Sequence, residues 1–160
     1  MDLINSRTRD IAAMALDGLY ERQRAHSANI ANAATPGFQR TDVVFEDQLQ
    51  SIREGYDLKT EIKLQNSDPN LWKKNPKEAL EALKRQDPAQ LAFLNSDLGK
   101  DYKPVVADGF GPSVSTDGNN VVLEEEMLKA AKTGTQYTIV ATLLGKSFKG
   151  LESVIKGQPS

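Results

Sequence analysis

The chain has 160 residues, 39% of them hydrophobic and 6% aromatic, which predicts one domain with a thin core and at most a small insert. It contains no cysteine, so disulfides and thiolate metal sites are excluded. The net charge of −2 arises from 20 basic and 22 acidic residues without a basic stripe, and a nucleic-acid partner is therefore not expected.

Membrane and secretion signals are also missing from the printed sequence. No run approaches the roughly 18 apolar residues that a membrane-spanning helix needs. The residues that follow Met1 lack the apolar stretch of a cleavable signal peptide. If the protein leaves the cytoplasm, we expect it to use a route other than the signal-peptide pathway.

The N-terminal segment predicts one long helix. From Ile11 to Ala34 it contains no proline and a single glycine, Gly18. Residues recur at alternating steps of four and three, the spacing with which a helix buries one narrow face against another helix. The members of this row are Leu16, Tyr20, Gln23, Ser27, Ile30 and Ala34. Its two polar members weaken such a contact but can fix its register.

Thr35-Pro36-Gly37-Phe38 is expected to end this first helix. Pro36 has no backbone N–H and disfavours helical backbone at Thr35. Gly37 can adopt a positive φ without a steric penalty, and Phe38 then supplies an apolar anchor. We interpret these four residues as a structural turn and not as a ligand site.

The next stretch predicts short elements. Val43-Val44-Phe45 is typical of a short strand or an extended hook, and residues 45–55 predict one or two helical turns. Further along, Val105 and Val106 predict another short strand. Asp117-Gly118 marks a turn that precedes the last element.

Residues 56–103 form a polar, charged insert. Asn75-Pro76 and Asp87-Pro88 each resemble a helix start, with the polar residue as N-cap and proline in the first turn. We therefore expect two short helices, with Trp72 packed against them as a core anchor and not as a binding platform.

The C-terminal third predicts the longest helix of the chain, about 50 Å at about 1.5 Å per residue. Small and apolar residues alternate at steps of four and three along its whole length. This C-terminal ladder comprises Leu123, Met127, Ala130, Gly134, Tyr137, Ala141, Leu144, Phe148, Leu151 and Ile155. Within it, the small residues Ala130 and Gly134 predict a close approach of two helices.

The ends of this helix carry capping signals. Asn119 or Asn120 is expected to be the N-cap, and Gly157 is placed to end the helix. Glu124, Glu125 and Glu126 would form a solvated first turn that the helix dipole favours. This explanation of the acidic run requires no metal ion.

The pattern predicts a mainly α fold, in which the long terminal helices form a coiled-coil-like inner domain. This domain would comprise residues 1–37 and 117–160, and residues 38–116 would form a linking or outer region of short helices and strands. One alternative is that two amphipathic helices simply pack on a globular core. The other is that the two ends pair with each other and with further copies of the chain.

No constellation of residues indicates catalysis. The single histidine, His26, falls inside the first predicted helix, where it reads as a packing or surface residue. Gly109-Phe110-Gly111-Pro112 lacks the glycine spacing of a dinucleotide-binding loop, and no phosphate-binding lysine follows a glycine-rich loop. We predict a protein that is not an enzyme, with no catalytic residue, no cofactor and no metal site.

Two segments resemble the bacterial flagellar rod and hook proteins. The N-terminal signature of that family is close to S-x-N-I-A-N-x-x-T-P-G-[YF]. Here it is filled by Ser27, Asn29, Ile30, Ala31, Asn32, Thr35, Pro36, Gly37 and Phe38. The run from Asp117 to Met127 resembles the family pattern D-G-N-N-V-x-x-x-x-E-M. Gln136-Tyr137, Leu143–Phe148 and the ending at Gly157 look most like the proximal rod proteins.

The resemblance implies a subunit of the periplasmic rod of the flagellar basal body, exported by the flagellar type III apparatus without a cleavable signal peptide. It implies helical assembly with copies of itself and with other rod proteins, and contact with the export gate and ring-adaptor proteins. Two alternatives stay open. One is another rod protein of the same family, and the other is a soluble helical adaptor or export chaperone of fixed small stoichiometry.

Overall fold

A computed structural model describes residues 6–66, 96–108 and 116–157. In chain order its elements are α1 (Ser6–Ala31), β1 (Thr41–Val44), α2 (Glu46–Asn66), β2 (Val105–Asp108) and α3 (Leu123–Lys156). The helices expected after Asn75 and Asp87, the position of Trp72 and the glycines at 109 and 111 lie outside the described residues. The prediction of a mainly helical fold with a long helix at each end is confirmed.

Helices α1 and α3 pack side by side in opposite directions. His26, near the end of α1, contacts Glu126 in the first turn of α3. At the other end of the pair, Thr8 and Ile11 of α1 share an apolar groove of about 290 Å³ with Leu144 and Ser147 of α3. The prediction that the two terminal helices pair with each other is therefore confirmed.

The residues of α3 that are buried lie along a line beside the C-terminal ladder and not on it. The buried residues of α3 are Glu126, Thr133 and Ser147, and Val140 completes their seven-residue spacing. Residues three apart lie about 60° apart around a helix, so this line neighbours the ladder and does not coincide with it. This line carries the polar side chains of Glu126, Thr133 and Ser147 as well as Val140, whereas the large apolar residues of the ladder lie beside it.

The ladder itself is therefore only partly covered within the chain. Ala130, Gly134, Ala141, Leu144 and Leu151 are half-buried, whereas Leu123, Met127, Tyr137, Phe148 and Ile155 are exposed. On α1, Leu16 and Ile30 are half-buried and Tyr20 is exposed. Among the described residues, the close approach expected at Gly134 is not present, since a Cβ atom at this position would meet nothing within 4 Å.

A small core lies where α1 meets β1. Leu19, Ala25, Val43 and Phe45 are buried together. The Phe45 ring packs directly on Gly18, and the Arg22 guanidinium lies 4.5 Å above the centre of the same ring. Gly18 is therefore the position that lets the aromatic ring approach the helix backbone.

Gly18→Ala is expected to destabilise the protein although alanine is the better helix former. A Cβ atom at this position would collide with three ring carbons of Phe45. Overpacking of this kind costs about 1–3 kcal/mol, against a gain in helix propensity of up to about 1 kcal/mol. Chemical denaturation measures the balance, and Gly134→Ala is the matched control, since its Cβ meets nothing. A stabilised Gly18→Ala variant would contradict the packing.

The two short strands form an antiparallel pair in which Val43 lies opposite Val106 and Val44 opposite Val105. The strands expected near both positions are thus confirmed, and α2 begins as expected just after Phe45 but continues to Asn66.

The strand pair belongs to a compact unit formed by residues 1–49 and 102–160. Residues 50–101 form a second unit, in which Lys59 donates to the Ser96 carbonyl. The domain boundaries at 37/38 and 116/117 stay a prediction.

The caps of α3 match the sequence at one end only. Gly157 ends the helix with φ 66° and donates its N–H to the carbonyls of Ser153 and Val154, as expected. The N-cap prediction is wrong: the N-cap is Val122, in extended backbone and without a side-chain cap bond. The side chains of Asn119 and Asn120 bond instead to residues 32–40.

Within the described part of the chain, no helix is both long and apolar enough to cross a membrane.

Candidate functional site

The two segments that carry the family resemblance contact each other. We call residues 27–38 the N-terminal motif and residues 117–127 the C-terminal motif. The Asn119 side chain, 3% exposed, donates through Nδ2 to the carbonyls of Asn32, Ala33 and Thr35 at 3.0, 3.0 and 2.9 Å. The last carbonyls of a helix lack intrahelical partners. Asn119 therefore holds the turns that follow the C-terminal end of α1, from a distant segment of the chain.

Both motifs turn where they meet. Gly37 donates its N–H to the Asp117 carbonyl at 3.1 Å. Gly37 has φ 71° and Gly118 has φ 86°, so the positive φ expected at Gly37 is found. Beyond the turn, Arg40 donates its backbone N–H to Asn120 Oδ1 at 2.6 Å. The asparagine pair thus hydrogen-bonds to the N-terminal motif and to the residues just after it.

Helix α1 ends at Ala31, four residues before Thr35, so it stops earlier than the expected end at Thr35-Pro36-Gly37-Phe38, and turns follow as far as Gly37. Thr35 and Pro36 are exposed, and Phe38 is only half-buried. The Asn32 side chain donates to the Ala28 carbonyl at 2.9 Å, within its own helix end. Of the N-terminal motif, therefore, Asn29 is the side chain that reaches furthest into the structure.

Gly37→Val is expected to lower the free energy of unfolding by about 1–3 kcal/mol, because φ 71° strains a β-branched residue. A Cβ atom at Gly37 would meet nothing within 4 Å, so steric collision does not contribute. Gly37→Asn is the control, since asparagine tolerates left-handed backbone. Urea denaturation should show a loss for valine and little loss for asparagine; equal losses would contradict a backbone cause.

A buried carboxylate joins the two motifs on the inner side. Glu126 is 1% exposed, and its Oε2 accepts from His26 Nδ1 at 2.8 Å and from Asn29 Nδ2 at 2.9 Å. Its Oε1 lies 3.6 Å from Arg40 Nη1 and 3.7 Å from Lys129 Nζ. The expected solvated first turn is therefore wrong for Glu126, although Glu124 and Glu125 are exposed as expected.

The protonation of Glu126 follows from these contacts. Burial raises the pKa of the carboxyl, but the hydrogen bonds from Asn29 and His26 and the charges of His26 and Lys129 oppose it, and the pKa is lowered. An ionised Glu126 assigns a proton to His26 Nδ1. The packing role expected for His26 agrees with its burial between the helices.

Asn29 connects three elements. Its side chain, 0% exposed, donates to the Thr41 carbonyl at 2.7 Å and accepts from the Thr41 N–H at 3.0 Å. The amide thus pairs with the backbone of β1 as a neighbouring strand would, and it also donates to Glu126 of α3. One asparagine fixes the positions of helix α1, strand β1 and helix α3.

The arrangement joins chain segments that are far apart in sequence. Within residues 6–66, 96–108 and 116–157, no group of three or more His, Asp or Glu side chains could hold a metal ion. Sequence reasoning missed the roles of Asn119, Asn120 and Glu126. The available signal was that both motifs resemble one family, which could have suggested that they contact each other.

The sequence is similar to curated flagellar basal body rod proteins. It is 35% identical over 136 residues to the flagellar basal body rod protein FlgB of Yersinia ruckeri, covering 85% of this chain and 84% of that protein. It is 28% identical over 151 residues to FlgB of Borreliella burgdorferi, covering 94% and 96%. FlgB of Yersinia enterocolitica is 31% identical over 137 residues. No protein-family model matches the sequence.

These relatives and the paired terminal helices define a flagellar basal-body rod protein. The chain belongs to the FlgB family. The family resemblance carried by the two motifs is therefore confirmed.

Proposed function

We propose that this chain is a structural, non-enzymatic subunit of the proximal flagellar rod, the drive shaft that crosses the periplasm. In this proposal it assembles helically with copies of itself and with other rod proteins. At its base it contacts the export gate and ring-adaptor proteins, which it reaches by type III export without a cleavable signal peptide. Support comes from the relatives, whose names assign them to the flagellar basal-body rod.

The observation that carries the proposal is the amount of apolar surface left on α3. Its exposed large side chains are Leu123, Met127, Leu128, Tyr137, Ile139, Leu143, Phe148, Val154 and Ile155. They lie on several sides of the helix, whereas α1 covers one line. A helix that is apolar around most of its circumference is normally buried. Neighbouring subunits in a rod would supply that cover.

The physical consequence is that ordering and assembly are coupled. Burial contributes about 25 cal/mol per Å² of apolar surface, and association must also offset lost freedom of the partners. The far end of α3 is an extreme case, since Ile155 is 83% exposed. We expect this end to gain most of its stability from neighbours.

Phe148→Asp is expected to abolish incorporation into the rod while leaving the fold of the monomer intact. Phe148 is 55% exposed and belongs to the ladder, so a carboxylate there is solvated in the monomer but buried without a partner in an assembly. Lys149→Asp, on the neighbouring exposed position, is the control. The measurements are circular dichroism of the purified protein and its content in isolated basal bodies. Normal content of Phe148→Asp would refute the ladder as an assembly surface.

Light scattering at rising concentration separates this proposal from the adaptor or chaperone alternative. A rod subunit should stay monomeric or form open assemblies whose mass grows with concentration. An adaptor should settle at a small fixed stoichiometry. A constant dimer mass over the whole range would therefore favour the adaptor.

A further inference from the structure

The edge of β1 that faces away from β2 has its backbone groups hydrogen-bonded to side chains. Both backbone groups of Thr41 bond to Asn29. The Val43 N–H donates to Asp42 Oδ1 at 2.7 Å, and the Val43 carbonyl accepts from Arg22 Nε at 2.9 Å. All four backbone groups that β1 directs away from β2 thus have partners.

Because Thr41 and Val43 bond away from β2, the strand register also shows which backbone groups of β2 point away from β1, to the outer edge of the pair. Alternate residues of an antiparallel strand direct their backbone groups to opposite edges. Thr41 and Val43 face α1, so Asp42 and Val44 face β2, where the register pairs them with Ala107 and Val105. Val106 and Asp108 therefore direct their N–H and C=O groups to the outer edge. In the described ranges of the chain these groups have no hydrogen-bond partner.

The side chains at this edge are equally uncovered. Val106 is 62% exposed, although the residue opposite it, Val43, is buried. Asp108 is exposed, and among the described residues its carboxylate has no ion pair. Among the residues that the structure describes, the edge thus combines backbone groups without a partner, an exposed β-branched side chain and a carboxylate without an ion pair.

We propose that the outer edge of β2 is a docking site for an extended segment of a partner polypeptide, which adds as a third strand. The chemistry of the occupant follows from the edge: a backbone with free donors and acceptors, a β-branched residue beside Val106 and a lysine or arginine beside Asp108. A two-stranded sheet is marginal alone, and an open edge is a template for a further strand. Strand addition uses main-chain bonds for affinity and side chains for specificity.

The primary experiment is an NMR titration of the full-length, ¹⁵N-labelled protein with a blocked peptide, Thr-Lys-Val-Thr-Lys-Val. We expect shifts and slowed exchange at the Val106 and Asp108 amides. The amides of Val105 and Ala107, which face β1, are internal controls whose protection should not change. A fully N-methylated analogue, which cannot donate, should not bind. Absence of the two shifts, or equal binding of both peptides, would overturn the proposal.

Two proline variants test the backbone assignment. Val106→Pro removes only an edge-facing donor, so the strand pair should survive while peptide affinity falls about tenfold or more, the equivalent of about 1.4 kcal/mol. Ala107→Pro removes a donor that faces β1 and should disrupt the pair itself. If Val106→Pro folds and binds the peptide as wild type does, the docking site is wrong.

A charge reversal tests the side-chain assignment. Asp108→Lys should weaken binding of the lysine peptide and strengthen binding of the matching glutamate peptide, Thr-Glu-Val-Thr-Glu-Val. An unchanged preference would remove the basic partner from the proposal. These measurements use the isolated chain, so their outcome is independent of incorporation into the rod.

Discussion

Glu126→Ala is expected to lower the free energy of unfolding by about 3–5 kcal/mol, the cost of removing one partner from a buried ionic contact. The substitution leaves His26 Nδ1 and the Asn29 amide buried without their acceptor. It also removes the anion that Arg40 and Lys129 approach. Urea denaturation at neutral pH measures the loss, and a loss below about 1 kcal/mol would be in the range of a surface ion pair and would contradict the burial.

Glu126→Gln is the matched control, because it keeps the shape and one oxygen that can accept from His26 and Asn29. We expect a smaller loss, about 1–2 kcal/mol. The two proteins should also differ in acid. The pKa of Glu126 is lowered in the folded state, so its contribution is full above the unfolded pKa and is lost as the pH falls through the folded pKa.

Stability measured from neutral pH down to strongly acidic pH should therefore fall more steeply for the wild type than for Glu126→Gln. Other carboxylates contribute to the acid dependence of both proteins and cancel in the comparison. Parallel curves for the two proteins would show that Glu126 does not gain stability by ionising in the fold.

Asn119→Ala is expected to cost about 2–4 kcal/mol, because the carbonyls of Asn32, Ala33 and Thr35, in the turns that follow α1, each lose a donor. Asn119 Oδ1 also accepts from the Val121 N–H at 2.7 Å, and this bond is lost as well. The helix end and the C-terminal motif would loosen together. Hydrogen exchange should become faster at Asn32, Thr35 and Gly37, whose amides lie in the turns that Asn119 holds.

The isosteric change Asn119→Asp separates the two functions of this side chain. A carboxylate can still accept from Val121, but it would face three carbonyl oxygens at the negative end of the α1 dipole. We therefore expect Asn119→Asp to be less stable than Asn119→Ala at neutral pH and to recover partly in acid. The reverse order would indicate that the capping bonds contribute little.

The long helices could be predicted from the sequence because their information is local. An uninterrupted periodic pattern and a final Gly157 depend on neighbours in the chain, and both outcomes agree with the structure, whereas α1 ends at Ala31, before the residues that Pro36 restricts. The strands near Val43 and Val105 were predicted for the same reason. The structural turn was also correct in its backbone, since Gly37 has the expected positive φ.

The site could not be predicted in the same way. Asn119 is a common N-cap residue that comes just before a helix, yet its side chain bonds to the turns that follow a different helix. Glu126 fits a solvated first turn by every local rule, but α1 and β1 bury it. Periodicity predicted the C-terminal ladder of α3, but the residues of α3 that are buried, Glu126, Thr133 and Ser147, lie outside it. The Glu126 contacts on this face join residues that are far apart in sequence, so no local pattern could indicate them.

The separation of these partners has a consequence for the order of events in synthesis. Asn119 caps carbonyls 84 to 87 positions earlier, and Glu126 bonds to a histidine 100 positions earlier. A nascent chain that ends before these residues cannot close α1 or neutralise the polar groups of His26 and Asn29. Long loops must form before such contacts stabilise anything, which slows folding. The contacts that hold α1, β1 and α3 together can thus form only after Asn119 and Glu126 have left the ribosome.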